Sequence, residues 1–367
     1  MKIKKGMSSL DISVAIAELR EEIVSGILKN IYRVGNKIHL LTIRTQKGSR
    51  ILLIEPGIRL HLTEFQRQIP EKPDNKILAL RKLVRNLRIH EIKQHHSDRI
   101  AILELSGKAN ATIVVELFGK GNIVVLDDNQ RVIYSLWYRK MRDRDLLPGK
   151  AFAFPPPLRE KSIFDATLED LLNFATEANE DVQLGKGLAL KFAGGGELIN
   201  EVIARSQLHP TDSAKDTPKE SFELLVAKIA NIKSDLAIPQ PHIIEDTHGT
   251  PISFQPIHFQ SLEGDLKYFS SFNKALDSFF TPMESQNIHA LAEEDARFKR
   301  LKKTLEKQER RLQELQDEAS RYQIIGDNIH LVAHQLDELQ TTILEARRKG
   351  ISWDQIQEKI ELGKQKG

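Results

Sequence analysis

Among the residues that could do chemistry, an acid and a base stand side by side. Asp98-Arg99 closes the segment HEIKQHHSDR and precedes the apolar run IAILEL. In that setting a carboxylate can accept from a ribose hydroxyl or a base amine, while a guanidinium holds phosphate or stacks on a base. The bland alternative is a surface salt-bridge network worth at most about 1 kcal/mol, and the residue types alone slightly favour it. A second acid, Asp11, opens the first helix. Ser8 and Asp11 have capping-box spacing, so Asp11 also has a purely structural reading as a cap.

Further basic residues suit a polyanion. A helix expected over 75–88 places Arg81, Arg85 and Arg88 on one side at i, i+4 and i+7, a row that suits successive phosphates. The competing reading is a solvated basic face. The turn Gly119-Lys120-Gly121-Asn122 lies between two apolar strands, where glycine permits close backbone approach and free N–H groups attract an anion. It lacks the spacing of a phosphate-binding Walker loop, and a plain hairpin explains it equally well. Gly194-Gly195-Gly196 opens the helix ELINEVI, where helix amides suit non-specific phosphate contact or a simple connection. Arg139, Lys140 and Arg142 adjoin Trp137 and Tyr138, and basic residues beside aromatics bind phosphates and stack bases unless the loop pairs with itself. The histidines show no tight metal spacing, and no nucleophile constellation stands out. Neither metal nor cofactor is expected.

The elements that must position these residues follow from periodicity. Residues 11–24 carry Ile12, Ala15, Ile16, Leu19 and Ile23 at helical spacing. Short apolar strands follow at ILKNIYRV, KIHLLTIR, RILLIE and IRLHL, with turns at Gly35-Asn36 and Gly48-Ser49. Beyond the 75–88 helix come strands around 89–95, 100–105, 112–118, 122–126 and 131–136. Many strands around two helices indicate an α+β domain, residues 1–157, with a mainly antiparallel sheet. Pro155-Pro156-Pro157 makes a stiff connector. Residues 158–236 read as a helix-hairpin-helix domain around the glycine turn. Residues 237–285 return to short extended pieces with one short helix, FNKALDSFF, and pack on the N-terminal region. Residues 286–367 form a coiled-coil segment, in which Phe298, Leu301, Leu305, Leu312, Leu315, Ala319 and Tyr322 make a heptad seam. A seam of that kind calls for a partner helix, in the same chain or in a second copy.

Composition bounds the function. The 367 residues carry a net charge of +3, with 40% hydrophobic and 29% charged residues, as in a soluble globular protein with an added charged helix. Basic residues concentrate in 76–99 and 139–144, which points to a directed polyanion surface. There is no Cys, which excludes disulfides, thiol catalysis and Cys-ligated zinc and fits a reducing cytoplasm. The start, MKIKKGMSS, has no apolar core of a secretion signal, and no run approaches the roughly 20 apolar residues of a membrane span.

At these residues the chain resembles the NFACT family. The matching stretches include SLDISVAIAELREEIVSGILKNIYRVG, ALRKLVRNLRIHEIKQHHSDRI, IVVELFGKGNIVVLDD, RDRDLLPGKAFAFPPP, FSSFNKALDSFF and YQIIGDNIHLVAHQLDEL. The histidine-rich QHHSDR and the lack of Cys suggest an archaeal member. The resemblance implies an N-terminal domain similar to that of the formamidopyrimidine-DNA glycosylases, a helix-hairpin-helix domain and a coiled coil. It implies binding to the large ribosomal subunit carrying a stalled peptidyl-tRNA, and recruitment of aminoacyl-tRNA, alanyl-tRNA above all, for template-free extension of the nascent chain. By motif match, Asp11, Asp98 and Arg99 would serve tRNA engagement. The family's full form continues with a returning helix and a further domain. The peptide-bond chemistry would belong to the ribosome, so the chain itself is expected to be no enzyme.

Two other classes compete. A DNA glycosylase of that fold needs an N-terminal proline amine and a Cys-ligated zinc finger, and this sequence offers Met1-Lys2-Ile3 and no Cys. An adhesin would need export, for which no signal is seen.

Overall fold

The computed structural model describes residues 3–365 except 36, 71, 158 and 160, and of 285–299 it describes the backbone course alone. The chain divides into a first unit, Met1–Ile288, and a second, His289–Gly367.

The first unit opens with helix α1, Ser9–Ile23. Its apolar positions recur at helical spacing, and Leu19, Ile12, Ala15 and Ile23 are fully buried. Four strands follow: β1 Ile27–Val34, β2 Ile38–Thr45, β3 Gly48–Glu55 and β4 Arg59–Leu62. Helix α2, Asn75–Val84, leads into β5 Arg88–Gln94, β6 Ile100–Ser106, β7 Ala111–Glu116, β8 Asn122–Leu126 and β9 Val132–Ser135. The strands form one antiparallel sheet in the order β4-β3-β2-β1-β5-β6-β7-β8-β9. Its two halves join at a single register pair, Ile27 with Arg88, and share one apolar core with α1. The antiparallel α+β architecture is as the sequence indicates.

Three local expectations need correction. The helix expected over 75–88 stops at Val84. Arg85 caps it, Asn86 turns left-handed at φ +66°, and Arg88 already belongs to β5. Asn is one of the few residues that tolerate that conformation, so it ends helices much as glycine does. The turn expected at Gly48-Ser49 falls two residues earlier, at Gln46-Lys47, and Gly48 opens β3. The short helix FNKALDSFF is the root of a much longer one, described below.

Beyond the proline connector a second core gathers around helices α3 Leu168–Glu177, α4 Leu184–Lys191, α5 Gly195–Arg205 and α6 Lys219–Ala237. A hairpin, β10 Arg139–Lys140 with β11 Asp145–Leu146, precedes it, and β12 Lys161–Ser162 pairs in parallel with β13 Phe192–Ala193. Strands β14 His242–Glu245, β15 Pro251–Gln255 and β16 Asp265–Tyr268 make a small sheet. From this return segment, Ile243 and Phe254 enter the first core, while Ile257 and Phe259 enter the second.

Helix α7 runs from Phe272 to Arg348. Phe272, Ala275, Leu276, Phe279 and Phe280 bury its root in the first core, and the helix continues through Pro282. No glycine interrupts the helical spacing there, so the short and long helices are one. In the second unit, Leu301, Leu305, Leu312, Leu315 and Tyr322 of the expected seam are exposed, and Phe298 lies outside the described side chains. The helix ends where Gly350 takes φ +81° and Ile351 N donates back to Ala346 O. A further helix, α8, Trp353–Gln365, follows.

Candidate nucleic-acid interface

Four consecutive residues at the start of α1 each do a different job. Ser8 is the N-cap: its hydroxyl accepts from Asp11 N at 3.2 Å, and its own N–H donates to Asp11 Oδ2 at 2.7 Å. Ser9 Oγ donates to Ser97 O at 2.5 Å, tying the helix to the loop between β5 and β6. Leu10 packs into the helical core. Asp11 is completely buried. The capping reading of Asp11 is therefore realised, and its carboxylate also meets Lys4 Nζ at 2.9 Å. Burial raises the Asp11 pKa above the ordinary carboxylate value; Lys4 opposes that and the nearby Glu197 reinforces it.

The Asp98-Arg99 loop is fixed by its backbone. Gln94 Nε2 donates to Asp98 O at 2.8 Å and reaches Ser9 O at 3.0 Å. Asp98 N donates to His95 O, His95 N to Ile100 O, and Leu117 N to Arg99 O. No hydrogen bond or ion pair among the described residues engages the side chains of Asp98 and Arg99. Arg99 is exposed and Asp98 half-buried. The salt-bridge network that sequence reasoning slightly favoured is not formed, and an acid and a base stand on a fixed backbone with free side chains.

The Gly119–Gly121 turn packs beside this loop, on the β3–β4 turn. Gly57 N donates to Glu116 O, and a Cβ on Gly121 would lie 2.0 Å from Gly57 N, so only glycine fits. Gly121 N is spent inside the turn on Phe118 O, so that amide is not free for an anion as the sequence suggested. Lys120 is exposed and without a protein partner among the described residues. At the other expected phosphate turn, Gly195 and Gly196 form the first turn of α5 and are exposed, and no side chain caps that end. Glu197, next in line, pairs with Lys4 Nζ at 2.7 Å. Asp11 and the Asp98-Arg99 loop are thus linked through Ser8, Ser9 and Gln94, and Asp11 is linked through Lys4 to Glu197, the residue after Gly194–Gly196; Lys120 makes no contact in this set.

The arginine row is not part of this set either. Arg81 Nε donates to Ile31 O, Arg85 Nε to Lys29 O and Arg88 to Ser25 O. Because β5 leaves β1 after one register pair, these guanidiniums satisfy backbone carbonyls along β1 and the turn before it. Arg81 also lies 4.9 Å over the Tyr32 ring. Their first role is to seat the end of α2 and the start of β5, which a helical-face argument could not reveal. Arg139, Lys140 and Arg142 are exposed with no protein partner among the described residues, beside Trp137 and Tyr138. The backbone of the loop pairs as the β10–β11 hairpin, but its charged side chains do not pair with one another: Arg144 instead reaches the buried Glu116 at 2.5 Å.

Sequence reasoning missed Lys4, Ser9, Gln94 and Phe154. None carries a local signal: Lys4, Ser9 and Phe154 meet partners far along the chain, and Gln94 bridges the nearby Asp98 to the distant Ser9. Among the described residues no group of three or more His, Cys, Asp or Glu is arranged to hold a metal ion. No described helix is long and apolar enough to cross a membrane.

Comparison with known proteins decides the family. A family model described as NFACT N-terminal and middle domains matches residues 8–366. The chain belongs to the NFACT family. A relative from Methanocaldococcus jannaschii, the archaeal Rqc2 homolog aRqcH, is 24% identical over 99% of this NFACT chain and 55% of its own length. The human ribosome quality control complex subunit NEMF is 26% identical over 96% of this chain and 35% of its own. The chain therefore spans between a third and about half the length of these curated relatives. In fold, it is similar to a fibrinogen binding protein from Staphylococcus aureus at TM-score 0.62 and 20% identity, covering 75% of this chain and 98% of that one. A Streptococcus suis fibronectin/fibrinogen-binding protein aligns at TM-score 0.60 and 21% identity over 76% of this chain and all of its own.

Proposed function

We propose that this NFACT chain is the tRNA-engaging part of a ribosome quality-control factor. In this reading it binds the large ribosomal subunit that carries a stalled peptidyl-tRNA, and recruits aminoacyl-tRNA, alanyl-tRNA in particular, for template-free extension of the nascent chain. It works in the cytoplasm and is not itself an enzyme: the ribosome makes the peptide bonds and this chain places the substrates. The seam of α7 then serves pairing with another helix, including self-association of this chain.

One observation carries the reading. Asp98 and Arg99 present free side chains from a backbone held by Gln94, Ser9 and Leu117. A pre-ordered acid and base lose little entropy on engaging an RNA backbone and a base edge. The relatives, an archaeal Rqc2 homolog and the human ribosome quality control complex subunit NEMF, support the same direction. Exposed Lys120, Arg139, Lys140 and Arg142 would add sequence-independent affinity.

The test is tRNA binding by the chain beside Asp98→Ala/Arg99→Ala at two salt concentrations. The reading expects salt-sensitive binding by the wild type, and at least about tenfold weaker binding by the folded double variant. Equal binding by both would remove the pair from the interface.

A further inference from the structure

We propose that Lys4 and Asp11 are a buried positioning pair for the Asp98-Arg99 loop, so that Asp11 serves tRNA engagement without touching tRNA. This deepens the proposed function and rests on it.

The geometry is a hub. The Lys4 ammonium has three N–H donors, and three acceptors surround it: Asp11 Oδ2 at 2.9 Å, Glu197 Oε2 at 2.7 Å and Phe254 O at 3.1 Å. It also lies 4.4 Å from the centroid of the Phe254 ring. The Lys4 side chain is 7% exposed and that of Asp11 is 0% exposed, so neither reaches a ligand the size of RNA. Glu197 stands at the rim, 37% exposed. Lys4 N donates to Ile252 O, which fixes the segment bearing the ammonium against β15.

Each acceptor belongs to a different element. Asp11 is the start of α1, Glu197 the first turn of α5, and Phe254 the centre of β15. A single buried charge therefore ties α1, the helical subdomain and the return segment at one point. From there the path to the loop is short. Asp11 closes the capping box on Ser8; Ser9 follows and holds Ser97 O and Gln94 Nε2; Gln94 Nε2 holds Asp98 O.

The alternative, Asp11 as a contact residue, conflicts with this arrangement. Asp11 Oδ2 is shared by Ser8 N and Lys4, and Oδ1 is buried without a hydrogen-bond partner. A group so enclosed acts on a bound macromolecule only through the atoms it holds in place.

The test uses the whole chain and a variant that leaves no unpaired buried charge. Lys4→Met/Asp11→Asn keeps both side-chain volumes and the amide that accepts from Ser8, and releases Glu197 into water. Circular dichroism confirms the fold. Two readouts follow: amide hydrogen exchange at Asp98 and Leu117, and affinity for deacylated alanine tRNA in the wild-type and the Asp98→Ala/Arg99→Ala backgrounds. The expected result is at least about tenfold faster exchange at both amides. It is joined by at least fivefold weaker tRNA binding that disappears once Asp98 and Arg99 are gone. An equal loss in both backgrounds would show that Lys4 and Asp11 act on tRNA independently of the loop, and would overturn the proposal. Unchanged exchange overturns it as well. If the wild type binds no tRNA, the functional reading fails on its own, and the exchange rates still decide whether the hub holds the loop.

Discussion

The imidazole of His95 lies flat on the ring of Phe154, with centroids 3.7 Å apart and planes 9° from parallel. One ring belongs to the loop that carries Asp98 and Arg99, the other to the segment that runs into the proline connector. Phe154 therefore holds the outer side of the loop as Ser9 and Gln94 hold its inner side. Stacked pairs of this kind contribute about 0.5–1.5 kcal/mol beyond area burial. Replacing Phe154 by Ala should weaken tRNA binding roughly threefold to tenfold, whereas Phe154→Tyr should bind as the wild type does. Filter binding or anisotropy with the three proteins checks this.

The pair Arg144–Glu116 is a test of stability away from the loop. Both side chains are 6% exposed, and Arg144 anchors the β10–β11 hairpin to the end of β7. Removing one partner strands a buried charge, at a cost of about 3–5 kcal/mol. Arg144→Ala should lower the unfolding free energy, read from denaturant titration, by that much. Arg144→Met/Glu116→Leu should recover most of it, because neither charge then remains buried.

Acid sensitivity should come first from histidine. Burial pushes His39 down to about 4 and His61 down to about 3. Around His39, Arg33 lowers the pKa further and Asp74 opposes it. The unfolded chain takes up these protons near the ordinary value of about 6.5, so it binds more protons than the native state below that pH. Stability is complete above about pH 6.5 and falls as the pH drops toward 4, by roughly 3 kcal/mol from His39 alone. Melting temperature measured from pH 7 to 4 should decline, and His39→Leu should flatten that decline. A flat profile in the wild type would contradict the buried, neutral state of these rings.

Two glycines of one turn should respond differently. At Gly121 an added methyl meets Gly57 N at 2.0 Å, with φ at +69°, and nothing there can move without displacing backbone. Gly119 has φ +56° and open space around it. Gly119→Ala should cost only the left-handed conformation, about 1–2 kcal/mol. Gly121→Ala should cost clearly more, and chemical denaturation of both variants would show the gap.

Sequence alone determined what depends on neighbours within a few positions. The Ser8–Asp11 cap, the apolar face of α1 and the short apolar strands are local patterns, and they are found. It also marked Asp98-Arg99 as the pair to examine. Only the tertiary structure decided what each charge does. Arg81, Arg85 and Arg88 looked like a phosphate row on a helix. Asn86 ends that helix early, and carbonyls along β1 that β5 leaves unpaired claim the guanidiniums. Asp11 read as a helix cap or a residue for tRNA engagement; it caps, and it is also wholly buried against Lys4, which Glu197, distant in sequence, shares. A charge goes where its desolvation is best compensated. That compensation comes from groups which only the folded chain brings together.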